Sequence, residues 1–439
     1  MASLVEHLKT FFLAQGLDKT YWVGYSGGLD SHVLLHLCAE VQKSCPLRLK
    51  AVHVHHGLSP YASNWAAHCE KICTELQIDF IQKSIHAKAL PGDSPEEAAR
   101  DLRYAVFADL MASQDMVLTA HQQDDQAETL LVQLFRGAGP KGLAAMPVMK
   151  AFATGFHGRP LLSASRAELK KYAEEHRLIW INDESNEDKS FARNFLRHAI
   201  LPILKQRWPT VTKTLARVAE NCAEAEEIVS NLISQDLTAC CGKAPHTLAI
   251  NKLLLLDEVR QRYVLRAWIL AQGFAVPSSI KLHQIQHDFL QAKQDRFPCM
   301  KWANVELRRY QNELYIMSAL MPHDSTQVFS WELTQSLNLP HLGELSAVLT
   351  DAAGLSQTIT HVTVRFRQGG ERCYFPGHGC HQSLKHLMQE WNIPPWERNR
   401  VPLLFVEDEL IAVVGFFIDA RYQSMPGQQV RYCLAPLAM

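Results

Sequence analysis

Two short stretches of this 439-residue chain hold residue types that could do chemistry together. The first is Ser26-Gly27-Gly28-Leu29-Asp30-Ser31. Paired glycines allow positive φ and let main chain come close to a phosphate. The Ser26 and Ser31 hydroxyls can donate to phosphate oxygens. Asp30 would repel a bare phosphate, so it suits the magnesium that accompanies a triphosphate, or a helix cap. The second stretch is His121-Gln122-Gln123-Asp124-Asp125-Gln126-Ala127-Glu128-Thr129. Asp125 and Glu128, at i and i+3, project from one helix face. A carboxylate pair of this kind suits a cationic substrate and can help deprotonate an amine nucleophile. Two other readings stand beside it. His121 and Asp125, four residues apart, have the spacing of metal ligands. An acidic first turn with Asp124 as its cap is also an ordinary way to begin a helix.

The elements around these stretches decide between such readings. Tyr21–Tyr25 predicts a buried strand, followed by a helix over Asp30–Gln42. Strand signals recur at Leu47–His53, Phe80–Ile85 and Met116–Ala120, separated by helices over Asn64–Leu76 and from Ser94-Pro95-Glu96-Glu97 to about Met111. A further helix spans Asp124–Phe135. Strand and helix in alternation imply an α/β fold with a doubly wound parallel sheet. Ligands of such sheets sit beyond the carboxyl ends of the strands. That rule brings the loops after Tyr25 and after Ala120 to one place. In that setting successive N–H groups at the start of a helix form an anion nest, helped by the helix dipole.

No glycine is followed by Lys-Ser or Lys-Thr in the spacing of a Walker A loop. Gly137-Ala138-Gly139-Pro140-Lys141-Gly142 matches a dinucleotide fingerprint literally, but it follows a helix instead of a strand. It is expected to be a helix end and a loop.

From about Thr210 the pattern changes. Val211–Leu237 and Leu253–Leu270 predict helices, Met321–Ser325 a linker, and His361–Phe366 and Leu410–Ile418 strands of a mixed tail. Length and pattern together predict three domains: an α/β domain at 1–212, a helical domain at 213–320 and an α+β domain at 326–439. The net charge of −1 excludes a surface evenly coated with basic residues, not a local basic patch. Eleven cysteines without a C-x-x-C pair predict reduced thiols. The opening residues lack a signal peptide's basic start, and the apolar run Leu410–Ile418 is too short to span a bilayer as a helix. A cytoplasmic protein without membrane partners is expected, and no sequence feature sets its oligomeric state.

S-G-G-x-D-S after a first strand resembles the pyrophosphate loop of the PP-loop, or N-type ATP pyrophosphatase, class. The resemblance narrows with H-x-x-D-D-x-x-E-T followed by Arg136-Gly137. It is joined by Arg100 and Arg103 in EAARDLRY, Arg159-Pro160-Leu161, Asp183-Glu184-Ser185-Asn186, and Arg193-Asn194 with Arg197. The second strand's end, His53-Val54-His55-His56-Gly57-Leu58, belongs to the same set. Together they resemble the tRNA(Ile)-lysidine synthetase family across residues 21–200. The resemblance implies a Rossmann-like PP-loop fold, ATP with Mg2+ as cofactors, and two substrates: free lysine and the isoleucine tRNA bearing a CAU anticodon. It implies adenylation of the wobble cytidine's 2-carbonyl oxygen, then displacement of AMP by lysine.

Carried over, Ser26, Gly27, Gly28, Leu29, Asp30 and Ser31 would hold ATP. Asp125 and Glu128 would recognise the lysine amino group. Arg103 and Arg197 would touch phosphate or the activated cytidine, with Arg100 and Arg193 as further candidates. Taken singly, each arginine also fits a helix-surface salt bridge, and His53, His55 and His56 fit local hydrogen bonding.

In the tail, Arg365, Arg367, Arg372, Lys385, Arg398 and Arg400 are interleaved with Trp391 and Trp396. They fit either an RNA-facing surface or snorkelling cations on a half-buried helix. Leu384–Leu404 resembles the C-terminal domain of the longer bacterial members. It departs from them in having Gly379-Cys380-His381-Gln382-Ser383 where they carry a basic stretch. Other PP-loop chemistry is the alternative. A tRNA thiolase with an iron–sulfur cluster would need paired cysteines, and an amidotransferase with an N-terminal cysteine nucleophile would need Cys where Ala2 stands. A non-catalytic nucleotide-binding module would need neither the carboxylate pair nor the arginines.

Overall fold

Side chains that alternate across a strand need an apolar layer on each face. Along the first strand, Tyr21, Val23 and Tyr25 join one buried cluster while Trp22 joins another. The computed structural model describes residues 3–55, 62–85, 95–182, 188, 191–244, 246–292, 296–375 and 380–434. The chain divides into two compact units, Met1–Asn231 and Leu232–Met439.

The first unit runs α1 (Leu4–Gln15), β1 (Thr20–Gly24), α2 (Leu29–Gln42), β2 (Arg48–His55), α3 (Ala62–Glu75), β3 (Asp79–Ser84), α4 (Pro95–Leu110), β4 (Met116–Leu118) and α5 (Gln123–Phe135). After α6 (Pro140–Leu143) come β5 (Met149–Phe152), β6 (Gly155–Gly158), α7 (Arg166–Glu175), α8 (Ala192–Phe195), a π-helical turn at Leu196–Ile200, α9 (Leu201–Arg207) and α10 (Val211–Cys240), whose residues from Leu232 belong to the second unit. The sheet order is β3-β2-β1-β4-β6-β5. β1, β2, β3, β4 and β6 are parallel. Residues of α1, α2, α3 and α7 pack in the cluster on one face, and Phe107 and Met111 with Trp22 and Val117 in the cluster on the other. The chain leaves β1 towards β2 and returns to β4 on β1's opposite side, so the order reverses between β1 and β4. A crevice at the carboxyl ends of these two strands follows.

The expected doubly wound parallel sheet is present. Its edge differs: β5 pairs antiparallel with β6. Three of β5's four residues are exposed, so no alternation marks it in the sequence. The hairpin depends on a close approach at Gly155, where a Cβ would lie 2.1 Å from the Asp115 carbonyl oxygen. The segment after Gly139 is also corrected: Pro140–Leu143 forms one helical turn instead of a loop, with proline at its start.

The second unit has α11 (Ile250–Leu253), α12 (Glu258–Ala271) and α13 (Ser279–Ile285) beside β7 (Thr247–Ala249), β8 (Cys299–Trp302), β9 (Val305–Tyr310) and β10 (Glu313–Ser318). The helices match the expected helical middle. The four strands, in the order β7-β10-β9-β8, are an addition to that expectation.

The tail contains β11 (Phe329–Glu332), β12 (Leu337–Leu339), β13 (Gly343–Thr350), β14 (Gly354–Leu355), β15 (His361–Arg365), β16 (Arg372–Phe375) and β17 (Cys380–Ser383). It continues with α14 (Leu384–Glu390), α15 (Pro395–Arg398), β18 (Leu403–Val406), β19 (Glu409–Val413), β20 (Phe417–Ile418), β21 (Gln423–Ser424) and β22 (Gly427–Leu434). Two five-stranded sheets, β11-β15-β18-β19-β20 and β12-β13-β22-β14-β21, share a core of Trp331, Leu345, Leu355, Val364 and Ile411. Leu384, Leu387 and Met388 of α14 cluster with Leu403, Phe405 and Leu410. Among the described residues no helix is long and apolar enough to cross a membrane.

Candidate active site

The Ser26–Ser31 loop joins the end of β1 to α2, as its composition demands. Gly27 has φ +84, and a Cβ there would lie 2.6 Å from the Ile181 side chain and 3.0 Å from the Cys69 sulfur. Its carbonyl accepts from Ile181 N at 2.9 Å. Gly28 is the N-cap of α2 and offers no side-chain cap bond, so the first amides of the helix are left for another acceptor. The two serine hydroxyls lie 2.9 Å apart, and Ser31 Oγ donates to Gly28 O at 3.0 Å. Ser31 Oγ also accepts from Ser26 N at 3.2 Å and Ser26 Oγ from Gly28 N at 3.4 Å, so these bonds fix the shape of the loop. Gly27→Ala should weaken ATP binding tenfold or more, since the Cβ adds left-handed strain and a clash. A nucleotide titration giving unchanged affinity would show that the cradle tolerates it.

Asp30 follows on the first turn of α2. Its Oδ1 is buried without a hydrogen-bond partner. Burial, with the nearby Asp125 carboxylate, pushes its carboxyl up to about 6, against the opposing pull of Arg166 and Arg197. The Ser26–Ser31 loop and the second stretch therefore share one electrostatic neighbourhood.

That second stretch follows β4. The helix begins one residue earlier than expected, which corrects the role of Asp124. Gln122 is the cap: its Oε1 accepts from Asp124 N at 2.6 Å, and Asp125 Oδ2 accepts from Gln122 N at 3.0 Å. Asp124 instead pairs with Lys205 at 2.7 Å. Arg197, on the π-helical turn, grips both carboxylates of the pair. It donates from Nε to Glu128 Oε1 at 2.7 Å, and from Nη2 to Glu128 Oε2 at 2.9 Å and Asp125 Oδ1 at 2.8 Å. The Glu128 side chain is 0% exposed. Burial raises the pKa of both Asp125 and Glu128 in spite of Arg197. Arg193 donates to Thr129 Oγ1 at 3.2 Å. Arg193, Arg197 and Lys205 thus meet one face of α5 from α8, the π turn and α9. Their spacing of four and eight is a signal legible in the sequence; Lys205 and Arg166 were nonetheless not anticipated.

Behind the stretch runs a polar relay. Arg159 Nη2 donates to His157 Nδ1 at 3.1 Å, and Thr119 Oγ1 lies 2.7 Å from His157 Nε2 and 2.8 Å from His121 Nδ1. The arginine can only donate, so His157 Nε2 donates to Thr119, whose hydroxyl also bonds His121 Nδ1. Burial, then the charges of Arg159, Arg193, Arg100 and Arg103, bring the pKa of His121 down to about 3, so it stays neutral. Asp125 has one oxygen on Gln122 N and the other on Arg197, which counts against its pairing with His121 on a metal. Among the described residues no group of three or more His, Cys, Asp or Glu side chains is placed to hold a metal. Magnesium fits only as a shared ion: Asp30 supplies one carboxylate with an unused oxygen, and the phosphates of a nucleotide would supply the rest.

Residues 3–204 match the PP-loop domain, 248–315 the TilS substrate binding domain and 362–433 the TilS substrate C-terminal domain. The tRNA(Ile)-lysidine synthase of Coxiella burnetii is 44% identical over 95% of this chain and 94% of its own length. The chain belongs to the tRNA(Ile)-lysidine synthase family. Proteins of the same name from Legionella pneumophila, strain Paris, and Serratia proteamaculans are 40% and 39% identical over 91% and 94% of the chain. They are covered over 92% and 95% of their own lengths.

Other motif residues of the chain have structural surroundings. His53 is buried, bonds the Tyr25 carbonyl through Nδ1 at 2.9 Å and supports the end of β1. His55 is half-buried, and His56, Gly57, Leu58, Ser94, Asp183, Glu184, Ser185, Asn186 and Gly379 lie outside the described residues. Arg103 is exposed on α4, and its charge reaches His121 and His53. Arg100 lies over the Tyr104 ring at 5.7 Å. The tail cations divide. Arg372 and Lys385 are exposed. Arg365 pairs with Asp408 at 3.0 Å, and Arg398 is tied to the Ile393 carbonyl and the Tyr310 hydroxyl. Cys38, Cys45, Cys69, Cys73, Cys222, Cys240, Cys241, Cys299 and Cys373 are free thiols.

Proposed function

We propose that this protein uses ATP to join lysine to the 2-carbon of the wobble cytidine in the CAU-anticodon isoleucine tRNA, releasing AMP and pyrophosphate. One observation carries the reading. The open N-terminus of α2 and the Asp125–Glu128–Arg197 cluster meet at the β1/β4 switch point, within electrostatic reach of Asp30.

Amides of residues 27–31 and the α2 dipole stabilise the charge that grows on pyrophosphate as it leaves the α-phosphorus. Asp30 would hold Mg2+, which supplies charge neutralisation when bound. The cytidine oxygen attacks the α-phosphorus. Arg103, whose charge reaches the neutral His121, suits the anionic nucleotide. Lysine then attacks C2: a C–N bond forms, the C2–O bond breaks and AMP departs with the oxygen. Before attack the ammonium must lose a proton. Asp125 and Glu128, made more basic by burial, are the acceptors. Both Glu128 oxygens are engaged by Arg197, so the ammonium meets this carboxylate only when the guanidinium shifts. An anionic nucleotide nearby supplies a competing partner for Arg197.

The division into a catalytic domain at 1–212 and RNA-binding domains at 213–320 and 326–439 belongs to the same proposal, as does a cytoplasmic location. Purified tRNA, Mg-ATP and labelled lysine should yield AMP and pyrophosphate, with label in a modified cytidine on nucleoside analysis. Pyrophosphate release that needs tRNA but leaves no lysine in the nucleoside would point to another nucleophile.

A further inference from the structure

A cleft of about 350 Å³ lies within the second unit, and no step above uses it. Arg308 of β9, Met321 and His323 of the segment after β10, Trp396 of α15, and Asn399 and Arg400 are among its lining residues. Its size is at the lower end for small-molecule sites, about 300 Å³ and upward.

The lining is rigid where a flat ligand would rest. Trp396 is set edge-on to Tyr315 and Tyr310, with centroids 5.4 and 6.2 Å away. The Arg308 guanidinium lies 5.1 Å from the indole centroid and is tied to Glu306 at 2.7 Å. Arg308 Nε and His323 Nε2 are both buried without a hydrogen-bond partner. Such groups are rare in native proteins and mark where a further partner belongs. Asn399 Oδ1 accepts from Arg367 at 3.3 Å, which leaves its amide N–H groups as donors. Arg400 is anchored to the Met321 carbonyl at 3.0 Å. Glu306 and Glu397 offset part of the positive charge, so the cleft suits a single anionic group more than a polyphosphate.

We propose that this cleft is a nucleotide site: one unpaired nucleotide places its base against the Trp396–Arg308 pair and its phosphate at Arg400. Aromatic and guanidinium planes are the surfaces on which splayed-out bases stack, and donors at the rim read their edges. The site deepens the reading of tRNA as substrate and rests on it for its source. A free mononucleotide presents the same chemistry.

Full-length wild type is compared with Trp396→Leu and Arg400→Gln. Because Trp396 also packs on tyrosines, Arg400→Gln, which alters a half-buried head group tied to one carbonyl, keeps the test independent of folding. Without ATP or lysine, tRNA(Ile) affinity should fall at least fivefold in both variants, as for loss of one stacked base. Ultraviolet crosslinking to wild type should map to peptide 395–400. Unchanged tRNA affinity together with lost UMP binding would retain the site and assign it to a free nucleotide. Unchanged binding of both tRNA and UMP would overturn it. Lysidine formation on the same samples separates the readings: a wild type that makes none sinks the proposed function, and unaltered binding by both variants sinks this site alone.

Discussion

Asp30→Asn should abolish the adenylated intermediate while making the fold more stable. The two effects have one cause. The native carboxyl is buried, its Oδ1 lacks a partner and its pKa is pushed up to about 6 from an ordinary 3.8. A carboxyl whose folded pKa exceeds its unfolded value favours the folded state fully only at low pH. That advantage is lost as pH rises from about 4 through 6, and at neutral pH the ionised group costs roughly 3 kcal/mol. Asparagine removes the charge and its cost, so the melting temperature at pH 7.5 should rise by a few degrees. The same change removes the proposed magnesium ligand. Lysine-independent, tRNA-dependent pyrophosphate release should drop by a factor of about 10³, the scale of losing a principal electrostatic stabiliser. In the wild type this release should decline about tenfold per pH unit below 6, as Asp30 protonates. Wild-type pyrophosphate release by Asp30→Asn would remove Asp30 from the chemistry.

Glu128→Ala should raise the lysine requirement and spare adenylation. Glu128 is fully buried and gives both oxygens to Arg197. Breaking a buried pair costs roughly 3–5 kcal/mol when the remaining charge is stranded. Here Asp125 still holds Arg197 Nη2 and the Arg197 side chain is 24% exposed, so the lower end of that range is expected. Glu128→Gln keeps the shape and separates folding from function. In either variant the KM for lysine should rise about 10²-fold, the loss of one charge-assisted contact of about 2–3 kcal/mol. Pyrophosphate release without lysine should stay within about threefold of wild type. A well-folded variant that cannot bind ATP would mean that Glu128 serves the nucleotide instead.

Much of the first unit was legible because local rules and tertiary placement agree there. A buried strand, two glycines and a helix start admit few arrangements, so the Ser26–Ser31 cradle could be placed from spacing alone. Asp125 and Glu128 could be put on one face of α5 for the same reason. The alternation of strand and helix likewise implied the switch point between β1 and β4. Boundaries were less legible. Gln122, not Asp124, caps α5, because cap choice depends on where the chain leaves β4.

Composition and local periodicity by themselves determined the α/β class, the glycine loop between β1 and α2 and the carboxylate pair on α5, since each depends on neighbours within a few residues. Tertiary structure alone decided that Arg197 clamps both carboxylates, that Asp30 Oδ1 lacks a partner, and that burial beside arginines keeps His121 neutral. It also decided that Arg308, His323, Trp396 and Arg400 line one cleft. The protonation of Asp30, His121, Asp125 and Glu128 depends on burial and on charges brought from distant parts of the sequence, and those distances exist only once the chain has packed.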